Sequence, residues 1–103
     1  MPDNFGPRPV PVVPNASRIR GRIVRQTAGE EGALWEISLD TAEDVEGMPN
    51  FAHSYVGQTI QVHLHPTLKT SVKQGDSVEA RVAYRGDERG GRFAIVGDDV
   101  KKV

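Results

Sequence analysis

The chain has 103 residues, enough for one domain and too short for two of ordinary size. It contains no cysteine, so disulfides, thiolate metal sites and cysteine nucleophiles are excluded, and no apolar run approaches the roughly twenty residues of a membrane-spanning helix. The net charge of −1 gives no general attraction to polyanions, so any such attraction must come from how the charges are distributed.

Residues 1–16 read as a flexible, proline-rich arm. Pro7, Pro9, Pro11 and Pro14 favour polyproline II and supply no ladder donors. No apolar signal-peptide core opens the chain, so the expected location is cytoplasmic. The domain is expected over residues 17–103, where five short segments alternate apolar and polar residues with the period of a half-buried strand.

The first segment, 17–26, sends Ile19, Gly21 and Ile23 to one face and Arg18, Arg20 and Arg22 to the other. Gly21 inside a strand predicts a bulge or sharp bend. A glycine-flanked loop at 27–32 leads into the second segment, 33–40, with Trp35, Ile37 and Leu39 inward. Residues 41–57 read as a long, acidic, mostly irregular connection, anchored to the core by Phe51, Tyr55 and Val56. A helical turn capped by Thr41 would be stopped by Gly47 and Pro49.

The third segment, 58–65, sends Ile60, Val62 and Leu64 inward and Gln61, His63 and His65 outward. Residues 67–73 predict a short helical turn, with Leu68 and Val72 four apart. The fourth segment, 76–85, buries Val78, Ala80 and Val82 and exposes Glu79, Arg81 and Arg85. A glycine-rich charged loop at 86–91 joins it to the fifth, 92–96, which buries Phe93 and Ile95. Val100 and Val103 can extend that pairing.

The order is three strands, a short helical turn, then two strands. It resembles the OB-fold, a five-stranded Greek-key barrel of the all-β class. Arg20-Gly21-Arg22-Ile23-Val24 looks like the kinked first strand of that fold. Lys73-Gln74-Gly75-Asp76-Ser77-Val78-Glu79-Ala80-Arg81-Val82 looks like the entry to its fourth. The resemblance covers residues 17–103 and lies in element order and turn residues. It implies binding of single-stranded nucleic acid or oligosaccharide across the second and third strands.

The charge distribution points elsewhere on the surface. No Lys or Arg occurs between Arg25 and Lys69, a stretch that holds Glu30, Glu31, Glu36, Asp40, Glu43, Asp44, Glu46 and all three histidines. The basic residues gather on the first, fourth and fifth strands. Nucleic-acid binding needs cations for phosphates and aromatic faces for stacking. The candidate set is Arg20, Arg22, Arg81, Arg85, Arg89 and Arg92 for phosphates and Tyr84 for stacking, with Asp87 and Glu88 weakening the field of the loop.

His63 and His65, two apart on one strand, would share a face. A metal would need a third ligand such as His53, Asp40 or Glu43. Gly57-x5-His63-x-His65 is similar to the start of a cupin metal motif, but Lys69 and Thr70 stand where its glutamate belongs. No metal or cofactor is therefore expected. No serine sits in a nucleophile elbow, and residues 86–91 lack the Lys-Ser/Thr of a phosphate loop. The sequence points to a non-enzymatic binding module for single-stranded DNA or RNA. The alternative is a protein-interaction module or accessory subunit, with the acidic 41–50 stretch, the proline arm and an exposed edge of the fifth strand as its surfaces; neither reading involves a membrane.

Overall fold

A computed structural model describes residues 14–29, 32–68, 70–87 and 90–103, with the backbone alone at 87, 90 and 91. The five alternating segments form five strands: β1 (Ser17–Gly29), β2 (Gly32–Asp44), β3 (Thr59–Leu64), β4 (Ser77–Asp87) and β5 (Gly90–Lys102). They close into a ring in the order β1-β2-β3-β5-β4. All neighbours are antiparallel except β3 and β5, which run parallel through Val62↔Phe93 and His63↔Ala94. The result is a small all-β, barrel-like fold, as the alternation predicts.

Closure follows from parity. Ile19, Ile23, Trp35, Ile37, Leu39, Ile60, Val62, Leu64, Val78, Ala80, Val82 and Phe93 are all buried in one cluster, with Ile95 half-buried against it. Each fully buried aliphatic or aromatic side chain in such a cluster contributes about 1.5–3 kcal/mol. Gly21 is where the ring bends. The β1–β2 register slips between Arg20 and Gly21. A methyl group there would meet the Ser38 carbonyl oxygen and, at 2.7 Å, Ile37 Cγ2. Only glycine lets the two backbones approach so closely.

Two connections fill the ends of the ring. At one end, residues 45–58 carry a 3-10 turn, His53–Tyr55. Ala52, fully buried, is the anchor. Ser17 Oγ accepts the Ala52 N–H at 3.4 Å and donates to Asn50 Oδ1 at 2.6 Å. Phe51 packs on the core and the half-exposed Tyr55 ring meets core Phe93 edge-on at 5.7 Å, while Val56 is 42% exposed, so of the three expected anchors Val56 is the one that contributes least. At the other end, the residues between β3 and β4 supply Leu68 and Val72 to the core. The helical turn expected at 67–73 is not formed among the described residues. Instead Gly75 N–H donates to the Ile23 carbonyl at 2.7 Å and Ile23 N–H to the Asp76 carbonyl at 3.0 Å. The end of the segment thereby pairs with β1, beside isolated turns from the Leu68 N–H to the His65 carbonyl and from the Asp76 N–H to the Lys73 carbonyl.

Two boundaries also differ. β2 continues through Asp44, because residues 41–44 pair with residues 17–20 of β1. Asn15 and Ala16, placed with the arm by composition, are buried. Ala16 N–H donates to the Pro49 carbonyl at 3.2 Å.

Candidate nucleic-acid interface

The outer faces of β1, β4 and β5 carry the cations, and register decides what each one meets. Arg20 stands opposite Glu79, and Glu79 opposite Lys101. Glu79 was expected to be exposed, by parity. Its side chain is instead only 9% exposed, because cations from the two flanking strands close over it. Arg20 Nε donates to Glu79 Oε1 at 2.8 Å, Arg18 Nη1 donates to Oε2 at 3.2 Å, and Lys101 Nζ lies 3.6 Å from Oε2. The Arg20 hydrogen bond, joined by the charges of Lys101, Arg20 and Arg18, holds the Glu79 carboxyl below its ordinary range against the opposing effect of burial.

The next row repeats the pattern with a different carboxylate. Arg18 and Arg81 face each other across β1 and β4. On β5, residues 96–99 bulge opposite Arg81, between the pairs Val82↔Ile95 and Ala80↔Val100. Gly97, at φ 62°, takes the left-handed conformation that this excursion requires. Asp99 Oδ2 thereby sits 3.3 Å from Arg18 Nη2 and 3.6 Å from Arg81 Nε. Its hydrogen bond and charge raise the pKa of the Arg18 guanidinium.

Beyond this network the arginines change character. Arg85 and Arg92 are directly opposite each other across β4 and β5, and both are exposed. Neither has a carboxylate within ion-pair distance among the described residues. Like charges facing each other across a ladder repel. The adjoining β3 presents Gln61, one residue before the Val62↔Phe93 pair. Behind it β2 presents Glu36, 3.8 Å from Arg25. Arg22 is also exposed, but it faces Ser38 and Ser77 on a distant row.

The candidate residues are therefore split. Arg20 and Arg81 belong to the ion-pair network, Arg22 stands apart, and Arg85 and Arg92 come together; Arg89 lies outside the described residues. Tyr84 is half-buried among aromatic rings rather than presented on the outer face. Its ring centroid is 5.3 Å from that of Phe93 and 6.2 Å from that of Phe51, both edge-on. Its backbone is held by a residue the sequence reading missed. Asn15 Nδ2 donates to the Tyr84 carbonyl at 3.0 Å, and Tyr84 N–H donates to Asn15 Oδ1 at 2.7 Å. The side-chain amide makes the two bonds a neighbouring strand would make. The preference of asparagine for bonding to backbone is the only signal available in sequence.

Of the two neighbouring histidines, only His63 lies within a strand. β3 ends at Leu64, and His65 lies beyond it, with Nδ1 accepting the Thr67 N–H at 3.2 Å. No group of three His, Cys, Asp or Glu side chains suited to a metal comes together among the described residues. A cleft of about 700 Å³ lies between the β1–β2 hairpin and the chain after β3. Trp35, Leu64 and Val72 are among its apolar lining, and no charged side chain lines it among the described residues. Among those residues, no helix is long and apolar enough to cross a membrane. No family model, curated protein or solved structure matches the chain.

Proposed function

We propose that the protein is an OB-like barrel that binds single-stranded nucleic acid, without catalysis, through the outer face of the β4–β5 hairpin. One observation carries the reading: Arg85 and Arg92 face each other, exposed, with no carboxylate between them among the described residues. The ring order, with β5 inserted between β3 and β4 and parallel to β3, supports the OB-like assignment. The hairpin adjoins β3, a strand used for ligands in that fold. Arg89, in the loop between the two arginines, extends the basic segment in sequence. With Tyr84 turned inward, contact is dominated by phosphate, and recognition is insensitive to sequence.

The test is fluorescence anisotropy of a labelled, mixed-sequence single strand across a salt series. Binding is expected at low salt, with log K falling against log salt at a slope of roughly −1.4 for two neutralised phosphates. Arg92→Glu should weaken all sequences alike. An absence of binding at low salt would remove the reading in favour of a protein-interaction module. Met48, Tyr55 and Val56, exposed on the 45–58 connection, support that second reading.

A further inference from the structure

We infer that the Arg85–Arg92 pair is a receptor for the phosphomonoester at the end of a nucleic-acid strand, an inference that rests on the nucleic-acid reading above. The molecule contains its own example of what such a pair takes. Arg18 and Arg81 also face each other across a ladder, and Asp99 Oδ2 bridges them at 3.3 and 3.6 Å. A cross-strand pair of guanidiniums is stable when one anion sits between the two. Arg85 and Arg92 repeat the geometry on the exposed end of the hairpin without an internal anion among the described residues. The described residues supply no complementary group, and one compact enough to serve both is what the pair can take from a ligand.

The surroundings select the end of a strand over its middle. On the β1 side, the nearest cations are already engaged with Glu79 and Asp99. On the other side, β3 contributes the neutral Gln61, and β2 then presents Glu36 and Asp40. Among the described residues, Arg22 and Lys73 are the other exposed cations without an ion pair, and Arg22 faces Ser77, eight residues along β4 from Arg85, or roughly 26 Å at strand rise. A polyanion running through would leave the positive pair within one step and meet carboxylates. A terminus makes its contacts at the pair and stops.

Charge makes the same choice. An internal phosphodiester carries one negative charge. A terminal phosphomonoester carries about −1.5 to −2 near pH 7, because its second pKa is about 6. Its three free oxygens offer the two guanidinium forks one acceptor more than the two free oxygens of a phosphodiester.

The experiment compares three oligonucleotides of one sequence, carrying a 5′-phosphate, a 3′-phosphate or hydroxyls at both ends, by anisotropy on the full chain. One phosphorylated form should bind about tenfold tighter than the hydroxyl form. That preference should shrink between pH 7.5 and pH 5 as the monoester gains its second proton, and it should disappear in Arg85→Gln and Arg92→Gln. The pH profile of the preference needs no variant, so the inference stays testable if a substitution disturbs folding. Equal affinity for all three would overturn the end-receptor assignment and leave nucleic-acid binding standing. An absence of binding to any of them would overturn both. Displacement of the phosphorylated strand by equimolar inorganic phosphate would also overturn it, by making the site one for free phosphate.

Discussion

Arg18 and Arg81 face each other across β1 and β4, and Arg85 and Arg92 across β4 and β5. The residues are the same and the outer faces adjoin, yet the two pairs do different things. The first is bridged by Asp99 and lies beside a carboxylate, Glu79, that is nearly covered. Its charge is spent inside the molecule. The second is exposed and unbridged among the described residues. Thirteen basic residues in the sequence therefore overstate the basic surface. A ligand senses the cations left over after the fold has used its share.

Three substitutions sharpen this contrast. The largest effect is expected at Gly21, whose bend directly follows the ion-paired Arg18 and Arg20 on β1. Gly21→Ala drives a methyl into the Ser38 carbonyl and Ile37, and should cost about 2–3 kcal/mol in chemical denaturation. An unchanged midpoint would mean that the β1–β2 approach is not constrained there.

The second effect is at Glu79 and has a pH signature. Its carboxyl is held below the ordinary value of 4.5 in the fold, chiefly by Arg20. The ionised form is therefore the stabilising one. Its contribution is present above the ordinary value and is lost as pH falls through the lower, folded one. Glu79→Gln should lower the melting temperature at pH 7, and the gap to the parent chain should close in strong acid. A gap of the same size at pH 7 and pH 3 would show that shape, not charge, is what Glu79 supplies.

The smallest effect is expected at the exposed pair. Arg85→Gln or Arg92→Gln relieves a like-charge contact, so stability should change by no more than about 0.5 kcal/mol, in the stabilising direction. A thermal melt that drops by several degrees would place this pair with the structural one and end the contrast.

Much of the fold is written in period-two alternation, which is why all but one of the thirteen expected core residues are buried and Ile95 is half-buried. Where alternation carries no information, other forces decide. Residues 41–44 are half-buried or exposed, so their strand state comes from pairing with β1. Leu68 and Val72 reach the core from an irregular segment in which the Gln26 side chain donates to the Val72 carbonyl and accepts the Gln74 N–H in place of helical bonds. The site is less legible than the fold. Parity places Glu79 outside correctly, but its burial depends on cations brought in from Arg18, Arg20 and Lys101. The bridging by Asp99 depends on a bulge that local sequence marks only by Gly97. Which arginines remain uncommitted is a property of register, and register is not visible one strand at a time.

The Asn15 amide has a consequence for how copies of the molecule treat one another. β1 accompanies β4 only as far as Val82. Past that point the edge of β4 offers the kind of bare rung on which a foreign strand can template itself and start aggregation. At Tyr84 that rung is already occupied on both its donor and its acceptor by Asn15. An intruding strand must first displace two hydrogen bonds tethered to its target by the same chain. Among the described residues, the side chain that guards this rung is Asn15, two residues before β1.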